Sequence, residues 1–406
     1  MLTEQQIEMI VAEGLGSLNL NDKRVLVIIP DATRTMPLPL FFRLIAQQLR
    51  PRVKALDFLV ALGTHPAMSD EALLQLVGLT AEEKAAQYAN VRLINHAWKD
   101  PGALTTIGTI PASEIEVISN GLLSQDVPVR LNKVILDYDE LLICGPVFPH
   151  EVVGFSGGNK YFFPGIAGAD IIDFTHWLGA LITSYDIIGT ADTPVRRVID
   201  RAASFIPVAR HALCSVVTHE GVEGLFFGTP EEAWRQAADL SAQVHVRYVE
   251  RPYRQVLSVM PRMYDEIWVG AKGMYKMEPV VADGGELIIY APHIKEISVV
   301  HGAVIKQVGY HVRDYFVKQW DKFKHLPWGV LAHSTHLRGV GTYQDGVERP
   351  RITVTLATGI SREECEQVNL GYRDPASIDV VEWEARNDPG LLVVPRAGEY
   401  LYRLVK

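Results

Sequence analysis

Arg24–Arg34 reads RVLVIIPDATR: five aliphatic residues in an unbroken run, a proline, then a polar turn. A short run apolar on both faces marks a strand covered on both sides, as in parallel sheets. Proline followed by aspartate marks where the chain leaves the sheet. The pattern recurs at Ala55–Leu62 (ALDFLVAL), which runs into Gly63-Thr64-His65-Pro66. It recurs again within Lys133–Cys144 (KVILDYDELLIC), ahead of Gly145–His150. Pro39–Leu49 reads as a helix, and Ser69 caps another. This alternation predicts an α/β fold with parallel or mixed sheets and helices on their faces.

At 406 residues the chain is long for one domain, against about 150 residues per domain. The reading gives two α/β domains with an active-site crevice between them. The first spans residues 1–256 and carries catalysis and cofactor binding. The second, residues 257–393, closes over the substrate, and residues 394–406 return to the first. Glu250–Pro261 (ERPYRQVLSVMP) reads as the boundary; Glu266–Gly270 (EIWVG) opens the second unit, continued by Gly285–Tyr290 and Ile352–Ala357.

A net charge of −9 with no basic stripe argues against nucleic acid. The three cysteines, Cys144, Cys214 and Cys365, form no CxxC pair, which fits a reducing compartment. No apolar run approaches the roughly 20 residues of a membrane span, and Met1–Gly14 has no signal-peptide core. The expectation is a cytoplasmic protein that does not meet a membrane.

In open α/β sheets ligands sit beyond the carboxyl ends of strands. Asp31–Arg34, Gly63–His65 and Pro149–Lys160 occupy such places and are expected to converge. Arg34 offers a fork of donors for a carboxylate or phosphate, with Asp31 orienting it; the other reading is a surface turn with a local ion pair. The glycines of His150–His176 (HEVVGFSGGNKYFFPGIAGADIIDFTH) let backbone N–H groups approach an anion or a flat ligand. Lys160 follows Ser156-Gly157-Gly158-Asn159 without Walker A spacing, so an ordinary tight turn is the competing reading. His333 and His336 share a helix face but have no third ligand, which favours a role other than metal binding.

Taken together, DATRTMP (Asp31–Pro37), LGTHPAMSDEAL (Leu62–Leu73), the His150–His176 segment, and KGM with GGELII (Lys272–Met274, Gly284–Ile289) resemble the lactate racemase family, whose cofactor is a nickel-pincer nucleotide. The resemblance implies that Lys160 is joined covalently to that cofactor and that His176 ligates its nickel. It implies His65 and His150 as acid and base, with Arg34 and Lys272 holding the substrate carboxylate. Asp31 matches the motif's acidic residue, in an orienting role. Thr33, Ser156, Gly157 and Gly158 are implied to contact the cofactor.

The implied reaction is racemisation or epimerisation of a small 2-hydroxy acid by removal and return of hydride. Cofactor-synthesis proteins are implied as transient partners. Three in-plane pincer donors plus one imidazole suit square-planar Ni(II), which explains a single histidine ligand. Alternatives are a nicotinamide-dependent hydroxy-acid dehydrogenase and a non-catalytic module that binds a nucleotide cofactor. The first needs a G-x-G-x-x-G fingerprint that is absent; the second predicts no acid–base histidine pair. Two departures stand out: Val269 occupies the place of a glutamine in family members acting on lactate, after a shorter preceding stretch, and Asn159 stands where a basic residue is common. Lactate is therefore not assigned as the substrate.

Overall fold

The computed structural model describes residues 1–405. Its largest sheet orders six strands as Gly221–Gly228, Ala209–Thr218, Glu140–Pro146, Arg24–Ile29, Ala55–Val60 and Leu93–Asn95. All pairs are parallel except the Gly221–Gly228 edge. Arg24–Ile29 lies centrally and is buried from Val25 onward, as its aliphatic run requires. After it the chain adds Ala55–Val60 on one side and, later, Glu140–Pro146 on the other. The carboxyl ends of these strands therefore flank a topological switch point, the preferred ligand position in such sheets.

Helix Leu38–Leu49 turns Phe41, Phe42, Ile45 and Leu49 into the core at the spacing of one helical face. Helix Asp70–Val77 starts where expected: the Ser69 hydroxyl accepts the Ala72 N–H at 3.2 Å. Left-handed Gly78 ends it.

A second sheet has five strands, all parallel, in the order Gly371–Tyr372, Thr353–Thr358, Val281–Ala291, Tyr253–Val259 and Leu391–Val394. Its alternate residues feed two cores. Val256, Leu287, Ile289, Val354 and Leu356 pack on one face; Leu257, Ile288 and Ala357 meet Ile378 and Trp383 on the other.

Contacts divide the chain into two units. One comprises Met1–Phe148, Phe155–Thr175 and Pro194–Val244; the other comprises Pro149–Gly154, His176–Thr193 and the residues from His245 onward. This division differs from the one read in the sequence. A cut after residue 256 falls inside the strand Tyr253–Val259, which pairs on both sides. Its polar residues Tyr253, Arg254, Gln255 and Ser258 disguise a sheet strand as a linker. Glu266–Gly270 does not open the second unit as a strand; Ile267–Gly270 is a single helical turn. The C-terminal strand Leu401–Leu404 pairs with Val246–Val249, and both lie in the second unit rather than the first.

Glu278 is fully buried in the second unit. Its Oε1 accepts the Val340 N–H at 2.8 Å, and its Oε2 has no partner. Burial raises this acid to about 7, against the pull of the Val340 N–H and Arg351, with Asp186 raising it further. An acid whose pKa is higher folded than unfolded stabilises the native state while protonated. That contribution is complete below about 4.5, the ordinary glutamate value, and is lost as pH rises to about 7. Glu278→Gln should flatten the resulting decline. Between about pH 5 and about pH 8 the wild type should lose up to about 3 kcal/mol relative to the variant. Chemical denaturation across that range checks this, and parallel pH profiles would contradict it.

Candidate active site

Asp31 follows the central strand and is 8% exposed. Its Oδ1 accepts the Thr33 backbone N–H at 3.1 Å and the Thr33 hydroxyl at 2.6 Å. Its Oδ2 bonds Nδ1 of His65. Arg34 Nη1 donates to Thr33 Oγ1 at 2.8 Å, so the D-x-T-R motif closes on itself. Burial alone would raise the Asp31 acid; His65, Arg34 and Thr33 outweigh it and hold the carboxyl well below the usual carboxylate range. With Asp31 an anion, Nδ1 of His65 is the donor. Nε2 of the neutral ring then carries the lone pair.

His65 stands on the turn after Ala55–Val60, and the neighbouring Gly63 N–H donates to the Gly165 carbonyl at 2.9 Å. The glycine-rich segment is thereby tied to the same end of the first sheet. Three successive carbonyls of that segment are held by side chains. Arg196 donates to Phe155 at 2.6 Å and to Gly157 at 3.2 Å, and Trp234 Nε1 donates to Ser156 at 2.8 Å. The Arg196 guanidinium lies 4.0 Å from the centroid of the Trp234 ring. Gly157 has φ +83°, and a Cβ there would come within 2.5 Å of the Val147 side chain, so no other residue fits this turn. The Ser156 hydroxyl accepts the Phe148 N–H at 2.9 Å, a bond that shapes the loop itself.

Lys160 lies in the 3₁₀ turn Gly158–Tyr161 that follows. Asn159 is buried and bridges two carboxylates, donating to Asp200 at 3.0 Å and Glu231 at 2.7 Å. Tyr161 sends its hydroxyl against Gly145, where a Cβ would lie 1.9 Å from the oxygen, and its ring is within electrostatic reach of Arg34 and Asp31. Sequence reasoning missed Arg196 and Trp234. A signal for the first was present: Arg196 falls on the buried face of helix Pro194–Ala203 with Ile199 and Ala203, where an arginine needs a buried acceptor.

Asp31, Thr33, Arg34, His65 and the Lys160 loop thus belong to the first unit, whereas His150, His176 and Lys272 belong to the second. His150 Nδ1 accepts the Val152 N–H at 3.1 Å and lies 3.3 Å from Glu151 Oε2. In the neutral ring the proton therefore sits on Nε2. His176 is half-buried on helix Ala169–Ile182, and the adjacent Trp177 stacks on Trp320 at 4.8 Å. Lys272 opens the turn Lys272–Tyr275, its ammonium 4.6 Å from the Tyr264 ring centroid. The Ser258 hydroxyl donates to the Gly273 carbonyl at 2.6 Å and pins that turn to the second sheet. Val269 is 5% exposed and packs in the core, so it supplies no polar contact.

Helix Trp328–Arg338 carries two buried imidazoles. His333 bonds the Trp268 carbonyl through Nε2 at 3.0 Å and stacks on the Trp268 ring at 4.0 Å. His301 lies 4.2 Å from the same indole. His336 is 3% exposed, and neither of its ring nitrogens has a hydrogen-bond partner. Burial, with the neighbouring His176 adding to it, pushes the His336 imidazole down to about 3. His333 is likewise lowered to about 3, mainly by burial.

Among the described residues no group of three or more His, Cys, Asp or Glu side chains is arranged to hold a metal. A metal bound here would take most of its donors from outside the chain. The orphaned imidazole nitrogens of His336, beside His176, fit a bound group that brings its own hydrogen-bonding atoms.

Comparison with known proteins agrees with this set of motifs. Residues 3–186 match the lactate racemase N-terminal domain. The chain is 24% identical over 305 residues to lactate racemase of Thermoanaerobacterium thermosaccharolyticum, covering 72% of this chain and 66% of that protein. It is 27% identical over 184 residues to lactate racemase of Lactiplantibacillus plantarum, covering 43% of this chain and 39% of that one. The matches thus span just under two thirds and about two fifths of those relatives' own lengths. A crystal structure of a Thermotoga maritima protein superposes with a TM-score of 0.92 at 34% identity, covering 100% of this chain and 99% of the other. The lactate racemase apoprotein from T. thermosaccharolyticum shares the fold, with a TM-score of 0.73 at 21% identity over 98% of this chain and 92% of that one. The D-x-T-R turn, the G-T-H loop and the glycine-rich segment all lie within the stretch that matches the lactate racemase N-terminal domain, residues 3–186 of 406.

Proposed function

We propose that this protein is an isomerase that inverts the carbinol carbon of a small 2-hydroxy acid, using a nickel-pincer nucleotide attached at Lys160 and ligated by His176. The observation that carries this reading is the opposite preparation of two imidazoles. Asp31 takes the Nδ1 proton of His65, leaving Nε2 as a base. Glu151 Oε2 lies 3.3 Å from Nδ1 of His150, placed to hold a proton there when that ring is an imidazolium, so that its Nε2–H can act as an acid. Inversion needs this pair, because the substrate hydroxyl points to opposite sides in the two enantiomers.

When bound, the nickel-pincer nucleotide supplies hydride acceptance and return. The chain's own residues do the rest. His65 Nε2 takes the hydroxyl proton of one enantiomer, and the substrate passes through its planar 2-oxo acid. Arg34 and Lys272 neutralise the substrate carboxylate and retain the oxo acid while it rotates. His150, as the imidazolium, gives its Nε2 proton to the carbinol oxygen of the opposite enantiomer and is left as the neutral ring. For the opposite enantiomer the two imidazoles exchange roles. Asp31 keeps the first ring in one tautomer and steadies the imidazolium that forms. The buried apolar side chain of Val269 supports a substrate other than lactate.

The protein loaded with cofactor should interconvert the enantiomers or epimers of at least one 2-hydroxy acid in a panel resolved by chiral chromatography. His65→Ala and His150→Ala should keep nickel and lose about 10²–10⁴-fold in turnover, the usual contribution of a positioned acid or base. His176→Ala should lose nickel itself, read by metal analysis. Full nickel content and activity in His176→Ala would overturn its role. Asp31→Asn should lower turnover by roughly 10³–10⁴-fold with nickel content unchanged, the scale seen when a histidine base loses its orienting carboxylate. An Asp31→Asn variant as active as wild type would remove the orienting argument.

A further inference from the structure

An imidazole always carries at least one N–H donor and, when neutral, one acceptor. Burying both without partners costs desolvation that nothing in the chain returns. His336 is in that position: it is 3% exposed, both ring nitrogens lack a partner, and His176 is its electrostatic neighbour. Other buried groups nearby leave one atom unpartnered, as at His333 Nδ1 and Arg338 Nε, but His336 leaves both of its ring nitrogens so. On the same helix, the Ser334 hydroxyl donates to Gly309 at 2.8 Å, the Thr335 hydroxyl to Ala332 at 2.9 Å, and His333 uses Nε2 on Trp268. A buried imidazole with both ring nitrogens unsatisfied beside the proposed nickel ligand is the mark of a group whose partner arrives with a ligand.

We propose that His336 is a positioning residue of the cofactor pocket, donating a ring N–H to an acceptor on the same organometallic group that His176 ligates. The proposal rests on the reading given under Proposed function and adds a second imidazole to it. The acceptor is a soft or anionic atom, of the kind a sulfur- and carboxyl-derived pincer presents around its metal. A hydrogen bond to such an atom orients the ligand plane and slows its loss, as outer partners of metal ligands generally do. The cost is borne by the empty protein, where the imidazole is buried with nothing to bond.

His336→Leu and His336→Gln separate this role from a structural one. In the protein without cofactor, His336→Leu should melt at the wild-type temperature or higher, because it removes an unsatisfied polar group. In the loaded protein the same variant should release nickel to a chelator about 10–100-fold faster than wild type, with a shifted absorption band of the bound group. His336→Gln, which keeps a donor, should recover part of that retention. Nickel release from both variants at the wild-type rate, with the spectrum unchanged, would overturn the inference while leaving the racemase reading intact. Should His336→Leu fail to fold, His336→Phe, which also lacks a donor, takes its place, and nickel release from it at the wild-type rate would overturn the inference. Wild-type protein that takes up no nickel under loading would overturn the underlying reading and this inference together.

Discussion

Asp31 gives the candidate site its polarity. A single carboxylate, buried at the end of the central strand, holds the Thr33 backbone, the Thr33 hydroxyl and Nδ1 of His65. A buried acid would ordinarily neutralise itself; here the imidazole and the guanidinium beside it keep the charge. Because the charge persists, His65 has one tautomer, and because it has one tautomer, its outer nitrogen is a base. The strand fixes Asp31, Asp31 fixes the ring, and the neutral ring keeps its lone pair on Nε2.

The glycine-rich segment is held by a different device. It has little side-chain bulk of its own, so its conformation is imposed from outside through Arg196 and Trp234, which between them occupy three consecutive carbonyls. Backbone held by directional donors has less freedom than backbone merely packed against a core. That suits a loop whose lysine must present its amine in one place. The buried guanidinium is costly, and its position over the indole and on two carbonyls is what makes it tolerable.

Much of this was legible in the residues. The first sheet could be read because parallel strands covered on both faces leave unbroken aliphatic runs, as in Val25–Ile29. The Ser69 cap and the polar turns after two strands followed from turn and capping chemistry. The second sheet was less legible. Tyr253–Val259 has a polar first half and resembled a linker, and Ile267–Gly270 is too short for periodicity to distinguish a strand from a helical turn. The Asp31–His65 bond joins residues 34 apart, and no local pattern announces it. No third ligand accompanies His333 and His336 in the sequence; burial without partners, which only the fold reveals, distinguishes His336.

The claim on which the functional account turns is covalent: the amine at position 160 carries the cofactor. Intact-mass and peptide mass spectrometry of protein prepared with the cofactor pathway, wild type beside Lys160→Arg, test it directly. The account predicts a nickel-bearing mass increment on the peptide containing Lys160 in the wild type and none in the variant. An active wild-type preparation with an unmodified Lys160, or an equal increment in the variant, would contradict it.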